Sequence, residues 1–309
     1  EPFVRDDVRN FLDRFYANKL PPFSDELIRM IRLIPPGSMP SQDLPVGELG
    51  EVRDVVMPGP AGDIALRLFD PRAERGPSPV VVFYHGGGFV TGSVETHAGL
   101  AAEIARGLDL PVVSVEYRLA PEHPWPAAPD DAEAAARWIA ENGAAFGRTF
   151  TGLILSGDSA GGNLTAVTVL ALRDRPAAVP TILQLGFYPK TDSSLEFESD
   201  RLFSTGYLLE KADMGYFTQA YAMDTSSHRA SPALADLAGL PPTVVITAGL
   251  DPLRDDGIAY AEKLAAAGVP VRHRNFDGTI HGFATFRLLI PSARADLDEA
   301  LELARALLA

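Results

Sequence analysis

Gly157-Asp158-Ser159-Ala160-Gly161-Gly162 is the stretch whose reading decides the fold. It follows the apolar run Gly152-Leu153-Ile154-Leu155-Ser156 and precedes a helix-compatible stretch from Asn163 to Leu172. Strand, glycine-flanked serine and helix together describe a sharp turn. Such a turn needs small residues beside the serine, because a larger side chain would collide with the helix folding back over the strand. The strain projects the Ser159 hydroxyl into the open at the carboxyl end of a sheet. The N-terminus of the next helix aims free N–H groups at the reacting oxygen.

A second stretch supports the same chemistry. His85-Gly86-Gly87-Gly88-Phe89 follows the buried-strand run Pro79-Val80-Val81-Val82-Phe83-Tyr84. Three successive glycines let the backbone approach a ligand closely and turn its N–H groups inward. A tetrahedral intermediate in acyl transfer carries an oxyanion that needs such donors.

The bulk properties narrow the partners. The formal net charge is -14 and the pI about 4.8. No basic patch is visible, which argues against nucleic acid or an anionic membrane. Lysine occurs only at Lys19, Lys190, Lys211 and Lys263. The absence of cysteine excludes disulfides, thiolate chemistry and cysteine–metal sites. No apolar run reaches transmembrane length. The charged stretch Glu1 to Asn10 does not read as a signal peptide. A cytoplasmic protein is the expectation. The 309 residues fit one large α/β domain or two.

Along the chain, Asp6 to Asn18 spaces Val8, Phe11, Leu12 and Phe15 as a helix, and Ser24 caps a second one with Leu27, Ile28, Ile31 and Ile34 apolar, ended by Pro35-Pro36. Two strands, Glu51 to Met57 and Asp63 to Phe69, are joined at Pro58-Gly59-Pro60-Ala61-Gly62. Strands are then expected at 80–84, 111–116, 152–156, 181–187, 243–248 and 271–276, with helices at about 96–107, 130–141, 160–173, 255–267 and 292–308. This alternation predicts a mostly parallel sheet covered on both faces. The stretch 190–232 breaks it with bulky residues, among them Phe197, Phe203, Tyr207, Leu208, Met214 and Phe217. It reads as helical material inserted above the sheet.

A serine hydroxyl is a poor nucleophile until a base takes its proton. The base follows the serine in the chain order serine, acid, histidine, which leaves His228, His273 and His281. His228 falls in the insertion and His273 inside a strand, whereas His281 follows the last strand on the rim that carries Ser159. The acid should follow the intervening strand, Thr243 to Ala248. Asp251 is the first carboxylate beyond its end. It would hold the histidine tautomer and stabilise the imidazolium. Asp255 suits a helix-capping role better.

These residues carry a resemblance. His85-Gly86-Gly87-Gly88-Phe89, Tyr117-Arg118-Leu119-Ala120-Pro121-Glu122-His123-Pro124, Gly157 to Gly162, Asp251-Pro252-Leu253-Arg254-Asp255 and His281-Gly282-Phe283 occur in the order found in the bacterial hormone-sensitive-lipase group of α/β hydrolases, and they span nearly the whole chain. The resemblance implies an eight-stranded, mostly parallel sheet flanked by helices, and a helical cap built from residues 1–48 and 190–232 over a catalytic domain of 49–189 and 233–309. It implies catalysis by Ser159, Asp251 and His281, an oxyanion hole from the N–H groups of Gly87, Gly88 and Ala160, and loop support from His85 and Gly86. Asp158 places the chain in the aspartate branch, where homodimers are common. Arg118 and Glu122, four residues apart, are candidates to brace the proline-rich loop or to stand solvated. The chain departs from the family at Phe187 before Tyr188-Pro189 and at Thr279, and both departures bear on the acyl pocket.

The expected function is a serine carboxylesterase acting on small, short-chain esters through an acyl-enzyme, with no metal and no cofactor. Amide or peptide hydrolysis is a second reading, but peptidases of this fold usually carry a further domain for which 309 residues leave no room. Deacetylation of a small molecule falls within the esterase reading. Plant gibberellin receptors resemble this family without the catalytic histidine, and His281 weighs against that class.

Overall fold

The computed structural model describes residues 2–35 and 37–309. Helices α1 (Asp6–Ala17) and α2 (Asp25–Arg32) lead into a hairpin of β1 (Glu51–Gly59) and β2 (Gly62–Asp70). Strand and helix then alternate through β3 (Ser78–Tyr84), α3 (Ala98–Leu108), β4 (Val112–Val115), α4 (Ala127–Glu141), β5 (Phe150–Asp158), α5 (Ala160–Asp174) and β6 (Thr181–Phe187). Helices α6 (Glu198–Leu202) and α7 (Lys211–Tyr221) interrupt the alternation. It resumes with β7 (Thr243–Leu250), α8 (Arg254–Ala266), β8 (Val271–Ile280) and α9 (Ala293–Leu308).

The eight strands form one sheet in the order β1-β2-β4-β3-β5-β6-β7-β8. The pairs β1–β2 and β2–β4 are antiparallel and the rest are parallel. Burial on both faces explains why β3 is apolar from Pro79 onward. Val80, Val82 and Tyr84 enter the core on one face of the sheet, and Val81 and Phe83 enter the core on the other. From β3 the chain steps to one side for β4 and to the other for β5. In an open α/β sheet, ligands bind beyond the strand carboxyl ends at such a reversal. The glycine loop after β3 and the serine turn after β5 therefore emerge side by side.

Three local expectations differ from the structure. Helix α2 stops at Arg32, ahead of the proline pair, of which Pro36 lies outside the described residues. Leu33 and Ile34 close the helix with i–3 hydrogen bonds at 3.1 Å, because the residue before Pro35 is pushed out of helical geometry. Ile34 is thus exposed rather than part of the apolar face. Second, Arg118 and Glu122 do not pair. Arg118 forks onto the buried Asp131 of α4 at 2.9 and 2.8 Å, and Glu122 takes Arg32 at 3.1 Å. A buried carboxylate offering both oxygens suits a planar guanidinium better than an exposed glutamate does. Third, α8 begins after Leu253 without a side-chain cap. Asp255 reaches instead to α6, accepting from the Ser199 N–H at 2.9 Å, one of the donors that a helix start leaves unpaired.

Among the described residues no helix is long and apolar enough to cross a membrane.

The tightest packing lies where α5 crosses β3. A Cβ on Gly161 would stand 1.9 Å from the Tyr84 carbonyl oxygen. At an open helical position Gly→Ala stabilises by about 1 kcal/mol. Gly161→Ala should instead destabilise by about 1–3 kcal/mol through overpacking. Urea unfolding of the two proteins measures the difference, and an unchanged or raised midpoint would contradict this packing.

Candidate active site

The turn after β5 is strained at its serine. Ser159 has φ 56 and ψ -116, a backbone region costly for any residue with a side chain. Hydrogen bonds hold it there. Its N–H donates to the Phe187 carbonyl at 2.9 Å, and its carbonyl accepts from the Asn163 N–H at 3.1 Å. Glycines on both sides make the turn feasible. A Cβ on Gly157 would stand 2.3 Å from the Gly161 carbonyl oxygen, and Gly161 has no room against β3.

The structure brings Ser159, His281 and Asp251 together. His281 Nε2 lies 2.7 Å from Ser159 Oγ, and His281 Nδ1 lies 2.7 Å from Asp251 Oδ2. A carboxylate only accepts, so Nδ1 carries the proton and Nε2 presents its lone pair to the serine hydroxyl. Asp251 is fully buried, and its other oxygen accepts from the Leu253 N–H at 2.8 Å. The carboxylate thus joins the first turn after β7 to the loop after β8. His228 and His273 stay apart from this group. His273 meets Thr247 Oγ1 at 2.9 Å across β7 and β8, and burial lowers its pKa.

Gly87 and Gly88 adopt φ values of 123 and 62, open to glycine at no steric cost. The Gly87 carbonyl is turned away and accepts from the Thr91 N–H at 2.8 Å. No backbone acceptor among the described residues takes the N–H of Gly87, Gly88 or Ala160. His85 braces this loop from beneath. Its Nδ1–H donates to the Gly86 carbonyl at 2.8 Å, its ring stacks on Tyr117 at 4.3 Å, and Tyr117 Oη donates to the His85 carbonyl at 2.6 Å. Gly86 has no space for a side chain, since a Cβ would meet Asp158 Oδ2 at 2.6 Å.

A cavity of about 90 Å³ opens beside Ser159. Gly88, Phe89 and Ala160 line one side, and Leu209, Met214 and Phe217 line the other. Of the bulky residues in the 190–232 stretch, Leu209, Met214, Phe217 and Tyr221 line this space. Phe203 is buried in the core, where Tyr207 and Leu208 also pack. Phe197 lies under the Lys190 ammonium at 5.8 Å. The family departures at Phe187 and Thr279 are both fully buried and line no part of the cavity.

Sequence reasoning passed over two contributors. Tyr188 sets its ring edge-on to the His281 imidazole at 4.8 Å, and burial holds its hydroxyl well above the usual tyrosine range, so it stays neutral. Its signal was the Tyr-Pro pair closing β6. His97 stands behind the turn, 3.3 Å from Asp158; no motif in the sequence marks it. Among the described residues no three His, Asp or Glu side chains gather as metal ligands.

The chain is similar to known proteins. A family model described as the alpha/beta hydrolase fold matches residues 81–285. Esterase LipI of Mycobacterium tuberculosis is 41% identical over 266 residues, covering 83% of this chain and 82% of LipI. An ethyl acetate hydrolase of Pseudomonas putida is 36% identical over 226 residues, covering 72% of this chain and 71% of its own. The solved ester hydrolase from the metagenome of Lake Arreo, complexed with a derivative of bipyridine phosphonate, superposes with a TM-score of 0.87 at 38% identity, over 97% of this chain and 98% of that one.

The Ser159 geometry makes a chemical prediction that needs no knowledge of substrate. A fluorophosphonate probe should label Ser159 alone, and Ser159→Ala should remain unlabelled while unfolding at the same urea concentration. Peptide mass spectrometry reads the site, and a label on any other residue would contradict the geometry.

Proposed function

The chain belongs to the α/β-hydrolase family, in its bacterial hormone-sensitive-lipase-like branch, and from that premise we propose that Ser159, His281 and Asp251 catalyse its reaction through an acyl-enzyme. The protein is a carboxylic ester hydrolase, and the names of two relatives, an esterase and an ethyl acetate hydrolase, support short-chain esters as its substrates. The observation that carries the residue assignment is the continuous chain of two 2.7 Å contacts from Ser159 Oγ through His281 to Asp251.

Ser159 Oγ attacks the ester carbonyl as His281 Nε2 takes its proton. The imidazolium that forms is stabilised by the ionised Asp251 beside Nδ1. Negative charge gathers on the former carbonyl oxygen, toward which the N–H groups of Gly87, Gly88 and Ala160 are available. One such donor is typically worth about 10²–10³ in rate. The intermediate collapses, and the alcohol leaves with the proton from His281. Water, deprotonated by the same imidazole, then attacks the acyl-enzyme and releases the acid.

The cap reading covers residues 1–48 and 190–232. Three contacts tying these segments together support it. Lys19 and Tyr16 meet Glu210 at 2.6 and 2.7 Å, and Tyr216 donates to Asp25 at 2.9 Å. Phe23 also packs against Phe217 with ring centroids 4.9 Å apart. Through Met214 and Phe217 this cap closes the acyl end of the cavity. At about 90 Å³ the space is smaller than the ~150 Å³ apolar cavity that admits benzene, which favours acyl chains of a few carbons.

Two measurements test the assignment. Asp251→Asn should lower kcat by roughly 10⁴, whereas Asp255→Asn should change it far less, because Asp255 serves α6. Reversed effects would move the acid role. On p-nitrophenyl esters from acetate to palmitate, kcat/KM should peak at short chains, each methylene that fits adding at most about 0.8 kcal/mol. A maximum at palmitate would overturn the cap's part in the cavity.

A further inference from the structure

Asp158 immediately precedes Ser159 and is almost fully buried, yet it takes no part in the proton path from Ser159 to Asp251. Its Oδ1 accepts from the Gly86 N–H at 2.8 Å. The same oxygen faces His97 Nε2 at 3.3 Å. Among the described residues no lysine or arginine pairs with Asp158. An ionised carboxylate in such a place needs a compensating charge.

His97 Nδ1 lies 2.9 Å from Thr96 Oγ1. A threonine hydroxyl has one proton to give, and this one is within 3.0 Å of the Ser93 carbonyl. The same oxygen accepts from the Ser93 N–H at 2.9 Å. When the Thr96 proton lies on the Ser93 carbonyl, Thr96 Oγ1 is free to accept from Nδ1–H. Asp158 Oδ1, at ion-pair distance from Nε2, can only accept. With both neighbours accepting, the ring would carry two N–H groups and a positive charge.

We propose that His97 is a buried imidazolium that keeps Asp158 ionised and so fixes the Gly86 N–H, making it a positioning residue for the Gly87–Gly88 oxyanion donors. The proposal rests on the oxyanion-hole reading above and adds to it a second histidine outside the proton path. Other titratable groups surround the pair, among them the buried Tyr117 and Tyr188 hydroxyls near Asp158. His85, on the loop after β3, has its ring 5.5 Å from His97, and Glu116, after β4, lies 3.6 Å from His85 Nε2. Asp43, from the N-terminal segment, adds negative charge that favours a charged His97, and Asp43 itself is clasped by Arg287 at 2.8 Å.

The direction of both shifts agrees with the geometry. Burial pulls the His97 pKa down, but Asp158, Asp43 and the Ser93 backbone together hold it above that of an ordinary histidine. Burial pushes Asp158 up, but His97, the Gly86 N–H and His85 together hold the carboxyl below its usual range. The linkage signs follow. The Asp158 contribution to stability is present above the ordinary carboxylate range and is lost as pH falls through its lowered pKa. The His97 contribution is complete below about 6.5 and is lost as pH rises through its raised pKa.

Nitrogen-15 NMR of the full chain with labelled histidine reads the protonation state directly. At pH 8, where an ordinary imidazole is neutral, the His97 ring should show both nitrogens protonated. The signal is assigned by its loss in His97→Gln, or by its shift in Thr96→Val should the first variant not fold. A neutral His97 ring at pH 8 would overturn the proposal. In the assay, His97→Gln should lower kcat about 10²-fold with KM changed less than about threefold, since misplaced oxyanion donors act on the transition state. A kcat within twofold of wild type would also overturn it. Failure of the oxyanion-hole reading is distinguishable, because it would leave the protonated His97 signal in place.

Discussion

The contact on which the rest of the site depends is the close crossing of α5 over β3, backbone against backbone, at Gly161 and Tyr84. It is what allows β5 to end in a serine at φ 56 and still send a helix straight back over the sheet. The strain at Ser159 is held by its neighbours, through the Phe187 carbonyl on one side and Asn163 on the other. In return the hydroxyl stands clear of the sheet, beside the start of α5 and within reach of two strand-end loops.

The same crossing ties the nucleophile's turn to the loop after β3. Asp158 sits one residue before the serine and bonds Gly86, one residue before the two glycines with positive φ. In the proposed mechanism, attack and charge stabilisation would thus come from two loops joined by this bond. The base and acid arrive from the far side of Ser159, from β7 and β8, and meet each other across a single 2.7 Å contact. Parallel neighbours deliver their carboxyl ends to the same rim, so residues 122 apart in sequence close within hydrogen-bond distance.

Much of this was legible from residue order. The turn around Ser159 was readable because sterics admit so few sequences there, and the alternation from Val80 onward identified the parallel sheet. Asp251 and His281 followed from strand ends, a positional rule that needs no contact information. What stayed hidden was partner choice between side chains distant in sequence. Arg118 has Glu122 nearby in the chain, yet the buried Asp131 wins because it offers both oxygens in a dry place. Asp255 resembled a cap for the helix it lies in but serves α6. His97 carries no local signature, because its meaning lies in what α3 packs against. The bulky residues of 190–232 could not be sorted into core and cavity by spacing; Leu209, Met214, Phe217 and Tyr221 line the cavity beside Ser159.

By the proposed route, turnover passes through an acyl group on Ser159. Rapid quenching of the wild-type enzyme during hydrolysis of p-nitrophenyl acetate, followed by peptide mass spectrometry, measures it directly. The account predicts a single acetyl group on the peptide bearing Ser159, appearing at the rate of the p-nitrophenol burst and decaying at the steady-state rate. Turnover with no adduct, or with an adduct on another residue, would contradict it.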